Sequence, residues 1–577
     1  MDKFGVARAL REIGQLLELK GENPFKVRAY ETGARALEAL EEDLGEILAR
    51  QTLTEVPGIG EALAKKVSEL YATEHTELLD RLRAEFPPGV IDLLRVPELG
   101  PKKIAALHAS LGIASVADLK AACEAGRVRE LRGFGEKTER KILDAIARMA
   151  ERGSGRRWPL ADAWPIAERL LAHVARSGAT IQAEIAGSLR RFREDVGDLD
   201  IVAASRDAGA LGEHFVKFPL VAEVLARGET KVTVRLADGL QADLRIVGPE
   251  DFATALHHFT GSRAHHVKLR GLARDRGYTI SEWGLVRLDG GGKTPIASEE
   301  ELYRALGLAP VPPELREDDG EIEAALSGRG FDDLVRLEDV RGMVHCHTEW
   351  SDGRATIEEM ALAAEAMGME YLTITDHSGR AHYAGGVTPD RIERQWEEIA
   401  RVQERVGIRL LRGTEADILQ EGVLDWPDRL LERFDVIIAS IHERHRMDER
   451  AMTRRLVRAM EVPVFKIWGH ALGRLIGERE PISCRVEEVL DAAAASGRVA
   501  VEVNGDPRRL DMEPRWLRAA RERGLRFTLS VDAHAPASLH FLRFAVGTAR
   551  RGGVRRGEVL NVLPAAEFAA AVRPARA

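Results

Sequence analysis

At 577 residues the chain is too long for one hydrophobic core, and length alone sets an expectation of three or four domains. Its 45% hydrophobic and 31% charged residues are ordinary for a globular protein, and no segment reaches the roughly 18 uninterrupted apolar residues of a membrane span, so no membrane partner is expected. A net charge of −9 excludes a surface that is basic throughout, and contact with nucleic acid has to be local. The opening residues MDKFGVARALREIGQ lack the apolar stretch and cleavage site of a secretion signal. Cys123, Cys346 and Cys484 stand too far apart for a disulfide framework, which fits a reducing cytoplasm.

Residues 1–150 read as helices. ALREIGQLLEL and ARALEALEEDLGEILA carry apolar residues at three- and four-residue spacing, with no β-branched runs. Three short motifs recur there: VPGIGEALAKKV (56–67), VPELGPKKIAAL (96–107) and LRGFGEKTERKI (131–142). Each is an apolar residue, a glycine turn and a helix start bearing lysines. Gly58 and Gly60, Gly100, and Gly133 and Gly135 leave bare N–H groups at a helix N-terminus, aimed at an anion. Lys66, Lys102, Lys103 and Lys137 add charge without reading bases. Between Arg95 and Met149 the 11 Lys/Arg outnumber the 7 Asp/Glu in a chain that is acidic overall.

These motifs resemble helix-hairpin-helix elements, which hold the DNA backbone whatever its sequence. The middle copy, with Glu98-Leu99 where the others have glycine and an apolar residue, is the weakest match. The first sits within a wider similarity to the lyase domain of the DNA polymerase beta family, with NPFKVRAY in the place of its 5′-phosphate pocket. That resemblance implies DNA contact through Lys26 and Tyr30, and makes Lys66 the equivalent of the lysine that forms a Schiff base with an abasic deoxyribose. Ala62 replaces a further pocket lysine of that family, so deoxyribose-phosphate lyase chemistry stays open. A nucleophilic lysine must lose its proton near neutral pH, and Lys65 is the adjacent cation that favours this.

Past ERGSGRRWP (151–159), a Gly/Ser/Arg linker with a proline stop, the texture changes to strands: IQAEIAG, DLDIVAA, KVTVRLA and QADLRIV. The second ends the stretch GSLRRFREDVGDLDIV (187–202). Strand alternation points Asp198 and Asp200 to one face while Leu199 and Ile201 enter a core, and a cation relieves two carboxylates crowded in this way. QADLRIV offers Asp243 on a neighbouring strand, facing away from Ala242, Leu244 and Ile246. Three carboxylates holding two Mg²⁺ or Mn²⁺ ions bring a 3′-hydroxyl in line with an α-phosphate. Gly187-Ser188 makes a turn suited to phosphate oxygens, and Arg190 and Arg191 follow with guanidiniums that grip phosphate by paired hydrogen bonds. Either Asp200 or Asp243 serves as base for the hydroxyl.

The arrangement GS…GDLD…D resembles the nucleotidyltransferase palm. HFTGS (258–262), followed by RAHHVKLRGLARDRGYTISEWGL, is similar to the nucleotide-binding segment of the family X DNA polymerases. On that resemblance Ser188 and Arg191 contact the triphosphate of a deoxynucleotide, Phe259, Gly261, Ser262 and His266 line the nucleotide pocket, and Asp243 is favoured as base. His258 and His266 stand where the family usually has tyrosine and asparagine, which implies altered sugar discrimination and metal preference.

A break that is proline-rich and then acidic, APVPPELREDDGE (309–321), precedes regular alternation of strand and helix patterns. Seven apolar segments follow, most ending in a metal-binding residue type: MVHCHTEWSD (343–352), YLTITDH (371–377), IRLLRGTEAD (408–417), VIIASIHE (436–443), VFKIWGH (464–470), VAVEVNG (499–505) and RFTLSVDAH (526–534). In a barrel of parallel strands the carboxyl ends open onto one face, which gathers His345, His347, Asp352, His377, Glu415, His442, His470, Asp532 and His534. Cys346 turns into the packing, and His382, His445 and His540 fall outside the pattern. Nitrogen and oxygen ligation without thiolate suits Zn²⁺, Mn²⁺ or Fe²⁺. This set resembles the PHP (polymerase and histidinol phosphatase) domain. The resemblance implies a seven-stranded α/β barrel, three ions and, as in polymerase-linked relatives, 3′→5′ exonuclease, 3′-phosphatase and apurinic-site cleavage.

The expected fold is multidomain: all-α helix-hairpin-helix domains, an α+β nucleotidyltransferase palm with a thumb-like part, and a C-terminal α/β PHP barrel. The expected boundaries are 1–86 (lyase-like), 87–150 (fingers-like), 151–250 (palm), 251–316 (nucleotide-binding), 317–338 (linker) and 339–570 (barrel). The chain is identified as a member of the bacterial family X DNA polymerases with a C-terminal PHP domain. That implies template-directed filling of short gaps in base excision repair, on gapped or primer–template DNA with deoxynucleoside triphosphates, with 3′ ends cleaned by the barrel. A monomer in the bacterial cytoplasm, at the nucleoid, is expected. The alternatives are a gap-binding nucleotidyltransferase whose barrel is structural, and an untemplated nucleotidyltransferase–phosphoesterase fusion.

Overall fold

A computed structural model describes residues 3–574 apart from 40–43, 51, 57, 74, 87–89, 91, 92, 94, 95, 97, 98, 132, 152–156 and 444–446. The chain divides into two compact units, Met1–Gly155 and Arg156–Ala577. Most of the linker expected at 151–159 therefore lies outside the described residues, as do Glu98 and His445. Among the described residues no single helix is long and apolar enough to cross a membrane.

The first unit is helical, as its periodicity requires: α1 (Lys3–Leu19), α2 (Pro24–Ala39), α3 (Leu44–Arg50), α4 (Glu61–Thr73), α5 (Glu77–Glu85), α6 (Pro101–Leu111), α7 (Val116–Glu124) and α8 (Glu136–Glu151). Thr76 and Ser115 cap α5 and α7, their hydroxyls accepting from the amides of Leu79 (3.2 Å) and Asp118 (3.1 Å). The apolar stripes meet in one core that includes Leu10, Ile13, Val67, Leu70, Ile104, Leu107 and Ile142. The three hairpins share one backbone design. The amides of Ile59, Leu99 and Phe134 donate to the carbonyls of Val56, Val96 and Leu131 at 3.0, 3.1 and 3.0 Å. The carbonyls of Gly60, Gly100 and Gly135 then each accept the amides of the third and fourth residues of the following helix. Gly58 and Gly133 both have φ of +93°, a left-handed value that favours glycine. The middle copy, weakest by sequence, makes the same hydrogen bonds at its described residues.

The second unit begins with a short antiparallel pair, β1 (Trp158–Pro159) with β3 (Asp195–Val196), and α9 (Leu160–Ala175). A five-stranded sheet follows: β2 (Gln182–Ile185), β4 (Asp198–Ala204), β5 (Val221–Arg227), β6 (Lys231–Leu236) and β7 (Gln241–Val247), in the order β2-β4-β7-β6-β5. Its one parallel pairing, β4 with β7, sets Asp200 directly opposite Asp243. The edge strand β5 was not evident from sequence, because an edge strand keeps most of its residues in solvent and loses the alternation that marks β4 and β7. Around this sheet lie α10 (Gly187–Arg190) and α11 (Ala208–Phe215).

Next come α12 (Phe252–Thr260), α13 (Arg263–Asp275) and an antiparallel sheet of β8 (Tyr278–Ser281), β9 (Gly284–Arg287) and β10 (Lys293–Thr294), then α14 (Glu299–Ala305). The segment expected to be a linker holds a helix, α15 (Glu321–Leu326), whose Ile322 and Ala325 join the core of this part. The acidic composition that suggested a solvated tether is used instead in specific pairs, such as Glu321 with His265 at 2.5 Å.

The remainder is the seven-stranded parallel sheet: β11 (Gly342–Met343), β12 (Tyr371–Ile374), β13 (Arg409–Asp417), β14 (Val436–Ser440), β15 (Lys466–Trp468), β16 (Val499–Asn504) and β17 (Arg526–Ser530), each beside its chain neighbour. Beyond the ends of β17 and β11, Ala533 donates to the His345 carbonyl (3.0 Å) and accepts from the His347 amide (2.7 Å), which brings the first and last strands together into a nearly closed barrel. All seven strands sit where the apolar runs place them.

Two candidate metal centres

The first centre is the face of β4 and β7. One carboxylate oxygen from each of Asp198, Asp200 and Asp243 lies within 4.8 Å of the others. Burial, then the charges of Asp198 and Asp243, push the Asp200 carboxyl up to about 7, and Asp198 is raised by burial and by Asp243. Three acids held this close are unfavourable without a cation, so the donor set fits hard divalent ions. A lysine that the sequence did not single out partly fills that role: Lys231 on β6 places its Nζ 2.7 Å from Asp243 Oδ2. Gln241 Nε2 lies 3.4 Å from Asp243 Oδ1.

The turn beside this face is glycine by necessity. Gly187 has φ of +63°, and a Cβ there would collide with the Asp200 carboxylate. Arg190 donates to Thr260 Oγ1 (2.8 Å) and Glu299 (2.6 Å), while Arg191 pairs with Glu317 (3.0 Å) and donates to the Thr260 carbonyl. The arginine pair is thereby oriented next to Ser188. Phe259 stacks with the Arg245 guanidinium, 4.5 Å from its ring centroid. Gly261 has φ of +68° and faces Arg191. Ser262 uses its hydroxyl to cap α13, accepting from the His265 amide. His266 is buried, both ring nitrogens lack hydrogen-bond partners, and its ring meets His258 edge-on at 4.7 Å. Burial and the neighbouring His258 and Arg270 hold it down at about 4, so it is neutral at pH 7.

The second centre lies at the carboxyl ends of the barrel strands and is organised by the buried Glu415. Its Oε2 lies 3.5 Å from His345 Nε2, 3.5 Å from His347 Nε2 and 2.9 Å from His377 Nδ1. Its Oε1 lies 3.2 Å from His442 Nε2 and 2.9 Å from His470 Nε2. Asp532 Oδ1 approaches His345 (3.5 Å) and His347 (3.1 Å), and Asp352 Oδ1 approaches His534 (3.3 Å) and His377 (3.6 Å). Three ion-sized groups result: His347, Asp352, His377 and His534; His345, His347 and Asp532; and His377, Glu415 and His442. His470 completes the nine expected residues through Glu415. Both Glu415 oxygens, Asp532 Oδ1 and the Nε2 atoms of His345 and His347 are buried without hydrogen-bond partners, a donor set that fits divalent ions. His470 and Asp532 also hold left-handed backbone (φ 22° and 53°), strain of the kind functional sites retain.

Burial opposes charge on His442 and His534, but the carboxylates outweigh it: Glu415 and Asp417 raise His442 to about 10, and Asp352 and Asp532 raise His534 to about 9. Burial and the neighbouring His534 and His377 lower His347 to about 3. Two supporting acids escaped sequence reasoning. Glu502 accepts from His345 Nδ1 at 2.6 Å and from Ser530 Oγ at 2.5 Å, and Asp417 lies 2.9 Å from His442 Nδ1. The signal available was an acid in the middle of an apolar strand, as in VAVEVNG. Arg509, whose Nε and Nη1 lack hydrogen-bond partners, lies 3.4 Å from Asp532.

In the helical unit, Lys26 is exposed and pairs with Glu22 at 3.3 Å, and Lys66 is half-buried on α4. Tyr30 packs into the helical core, which burial with Glu22 nearby reflects in a raised pKa; the pocket implied for a 5′-phosphate does not include its ring face in solvent. Lys103 lies over the Phe134 ring at 5.9 Å. The side chains of Lys102 and Lys137 lie outside the described residues.

With this geometry in hand, comparison with known proteins is direct. Residues 1–76 match a helix-hairpin-helix domain, 90–148 a SAM-like helix-hairpin-helix tandem, 255–317 the DNA polymerase beta thumb and 344–505 the PHP domain. The chain is 37% identical over 564 residues to the DNA polymerase/3′-5′ exonuclease PolX of Bacillus subtilis (strain 168), covering 97% of each. A probable phosphatase of Thermoanaerobacter sp. (strain X514) is 30% identical over 237 residues, 38% of this chain and 88% of the relative. DNA polymerase lambda of Rattus norvegicus is 23% identical over 303 residues, 48% of this chain and 50% of the relative.

Proposed function

The chain belongs to the PolX family of DNA polymerase/3′-5′ exonucleases, and from that premise we propose that it fills short gaps in DNA at the aspartate trio and trims 3′ ends at the barrel mouth. A family member with tandem helix-hairpin-helix domains acts on DNA and nucleotides and needs divalent ions. The observation that carries the reading is the β4–β7 register, which sets Asp200 against Asp243 with Asp198 on the same face.

At the trio, bound Mg²⁺ or Mn²⁺ supplies polarisation of the α-phosphate and a lowered pKa for the 3′-hydroxyl. Asp198, Asp200 and Asp243 hold the ions, and Asp243 accepts the hydroxyl proton. Lys231 pairs with Asp243, which limits the cost of three crowded carboxylates that would hold the ions. Gly187, Ser188 and Arg191 hold the triphosphate. Phe259 and Gly261 line the sugar, the backbone around Ser262 shapes the turn, and His266, neutral and unpartnered, faces the base. Gly58, Gly60, Gly100, Gly133 and Gly135 present amides to DNA phosphates, aided by Lys26, Lys66, Lys102 and Lys137.

At the barrel, three ions of Zn²⁺, Mn²⁺ or Fe²⁺ supply an activated water and a clamp for phosphate. The nine residues from His345 to His534 hold them. Glu502 and Asp417 fix the rings of His345 and His442 so that each presents Nε2 inward. Arg509 grips the scissile phosphate through Nη1, which lacks a hydrogen-bond partner while Nε pairs with Asp532. The reading places the protein at gapped DNA in base excision repair, in a bacterial cytoplasm, working as a monomer.

The test is single-nucleotide incorporation on a one-nucleotide gapped duplex with Mg²⁺ or Mn²⁺. Asp243→Ala should abolish incorporation and retain exonuclease activity, and wild type should insert only the templated nucleotide. Full incorporation by Asp243→Ala refutes the site. Insertion regardless of template supports the untemplated alternative.

A further inference from the structure

The segment joining the phosphate turn to the aspartate strand is held from outside its own sheet. Phe192 follows Arg191 directly and has φ of 54°, a left-handed value that strains a non-glycine residue. Its amide donates to the Leu189 carbonyl (2.9 Å) and that of Arg193 to the Ser188 carbonyl (3.1 Å), so the turn bearing Ser188 and Arg191 closes through this residue. The ring, however, points at the barrel. It lies on Gly547, in the middle of the barrel helix Leu542–Arg551, where any Cβ would overlap it. A mid-helix glycine is unfavourable relative to alanine, and here the aromatic ring occupies the space a side chain would take. Trp164 of α9 flanks the ring at 4.6 Å, and Phe544 of the same barrel helix is part of the α9 and palm-sheet core.

Two residues on, Glu194 repeats the arrangement. Its carboxylate accepts from Arg474 Nη2 at 2.7 Å, and Arg474 is a buried barrel residue that also donates to the carbonyls of Arg509 (2.7 Å) and Leu510 (2.8 Å). The ion-pair partner of Arg191, Glu317, sits between two further ties to the barrel, Glu314 with Arg550 (2.7 Å) and Asp319 with Arg518 (2.9 Å). Strained backbone persists only where its surroundings hold it, and these surroundings belong largely to the barrel.

We infer that the barrel body is a positioning element of the polymerase centre: Gly547 and Arg474, acting through Phe192 and Glu194, hold Arg191 where it meets the nucleotide triphosphate. The inference rests on the reading of Arg191 as a triphosphate ligand. It makes the barrel necessary to nucleotide binding by contacts remote from its own ions, so emptying the barrel of metal leaves polymerisation intact while loosening the Phe192 seat does not.

The test is steady-state incorporation on the gapped duplex with the full chain, comparing Gly547→Ala, Phe192→Ala, Glu194→Gln, Arg191→Ala and the double variant Gly547→Ala with Phe192→Leu. Gly547→Ala and Phe192→Ala should each raise KM for the deoxynucleotide about tenfold with kcat little changed, and leave exonuclease activity and barrel metal content at wild-type levels. Glu194→Gln should shift KM in the same direction by less. The smaller leucine should make room for the new Cβ and restore most of the lost nucleotide affinity. Unchanged KM in Gly547→Ala and Phe192→Ala, beside a raised KM in Arg191→Ala, overturns the inference alone. A silent Arg191→Ala removes the site reading and this inference with it. If Gly547→Ala lowers melting temperature and both activities together, Phe192→Ala, which adds no clash, decides the matter by its KM.

Discussion

Replacing the Asp200 carboxylate by an amide should stabilise the metal-free protein. Burial and two like charges raise this group from its ordinary 3.8 to about 7, a little over three pKa units. At about 1.36 kcal/mol per unit, its ionisation opposes folding by up to about 4 kcal/mol. Because the folded pKa is the higher one, the penalty is absent below pH 3.8, grows between 3.8 and about 7, and is constant above. Asp200→Asn should therefore gain up to about 4 kcal/mol at pH 8 in chelator, about 1–2 kcal/mol at pH 5, and nothing at lower pH still. In thermal melts that is a rise of several degrees at pH 8, smaller per kcal/mol than in a short domain because of the unit's length. Added Mn²⁺ should reverse the order by stabilising wild type more than the variant. A variant no more stable than wild type in chelator at pH 8, or a gain independent of pH, refutes the claim that three crowded carboxylates face one another here.

Further outcomes follow from the same geometry. Glu502→Gln should keep polymerisation and lower exonuclease activity about 10- to 100-fold with weaker barrel metal binding, measured by metal content and nuclease rates, because His345 loses the carboxylate that orients its ring. Arg509→Ala should lower exonuclease kcat/KM while leaving the metal content unchanged, and loss of metal instead would contradict a phosphate contact. Metal loading of the barrel at pH 7 should release about three protons, from His442 and His534, raised to about 10 and about 9, and from His345, which Glu502, Glu415 and Asp532 hold well above the usual imidazole range against burial; apparent affinity should therefore fall as pH drops, and calorimetry in buffers of different ionisation enthalpy measures the count. Gly187→Ala should abolish incorporation and spare exonuclease activity, since the new methyl displaces the Asp200 carboxylate.

The residues of both centres stood out in the sequence because most of them lie in or just after short apolar runs. Asp198 and Asp200 share a strand face by parity alone, whereas His345 and His347 lie just beyond β11, on either side of the Cys346 bridge to Ala533. What parity does not carry is register: that Asp200 opposes Asp243 depends on β4 and β7 being parallel neighbours with two strands of intervening chain placed elsewhere. Lys231 was invisible for the same reason, being a lysine opening a strand like many others. Glu502 interrupts the apolar run VAVEV and Asp417 closes its strand two residues after Glu415, so neither stands out as part of a site. The acids of segment 317–338 suggest a solvated tether, yet Glu321 is buried against His265. Tyr30 shows the converse: a motif match assigned it to phosphate, and packing assigned it to the core. The seat of Phe192 on Gly547 joins residues more than 350 positions apart, a distance over which no local pattern reports.

The most direct measurement is anomalous scattering from crystals grown with Mn²⁺. The account predicts manganese between Asp198, Asp200 and Asp243, with Lys231 withdrawn from Asp243, and three further ions within the ring from His345 to His534. A trio that stays free of metal at millimolar Mn²⁺, with Lys231 still paired to Asp243, contradicts it.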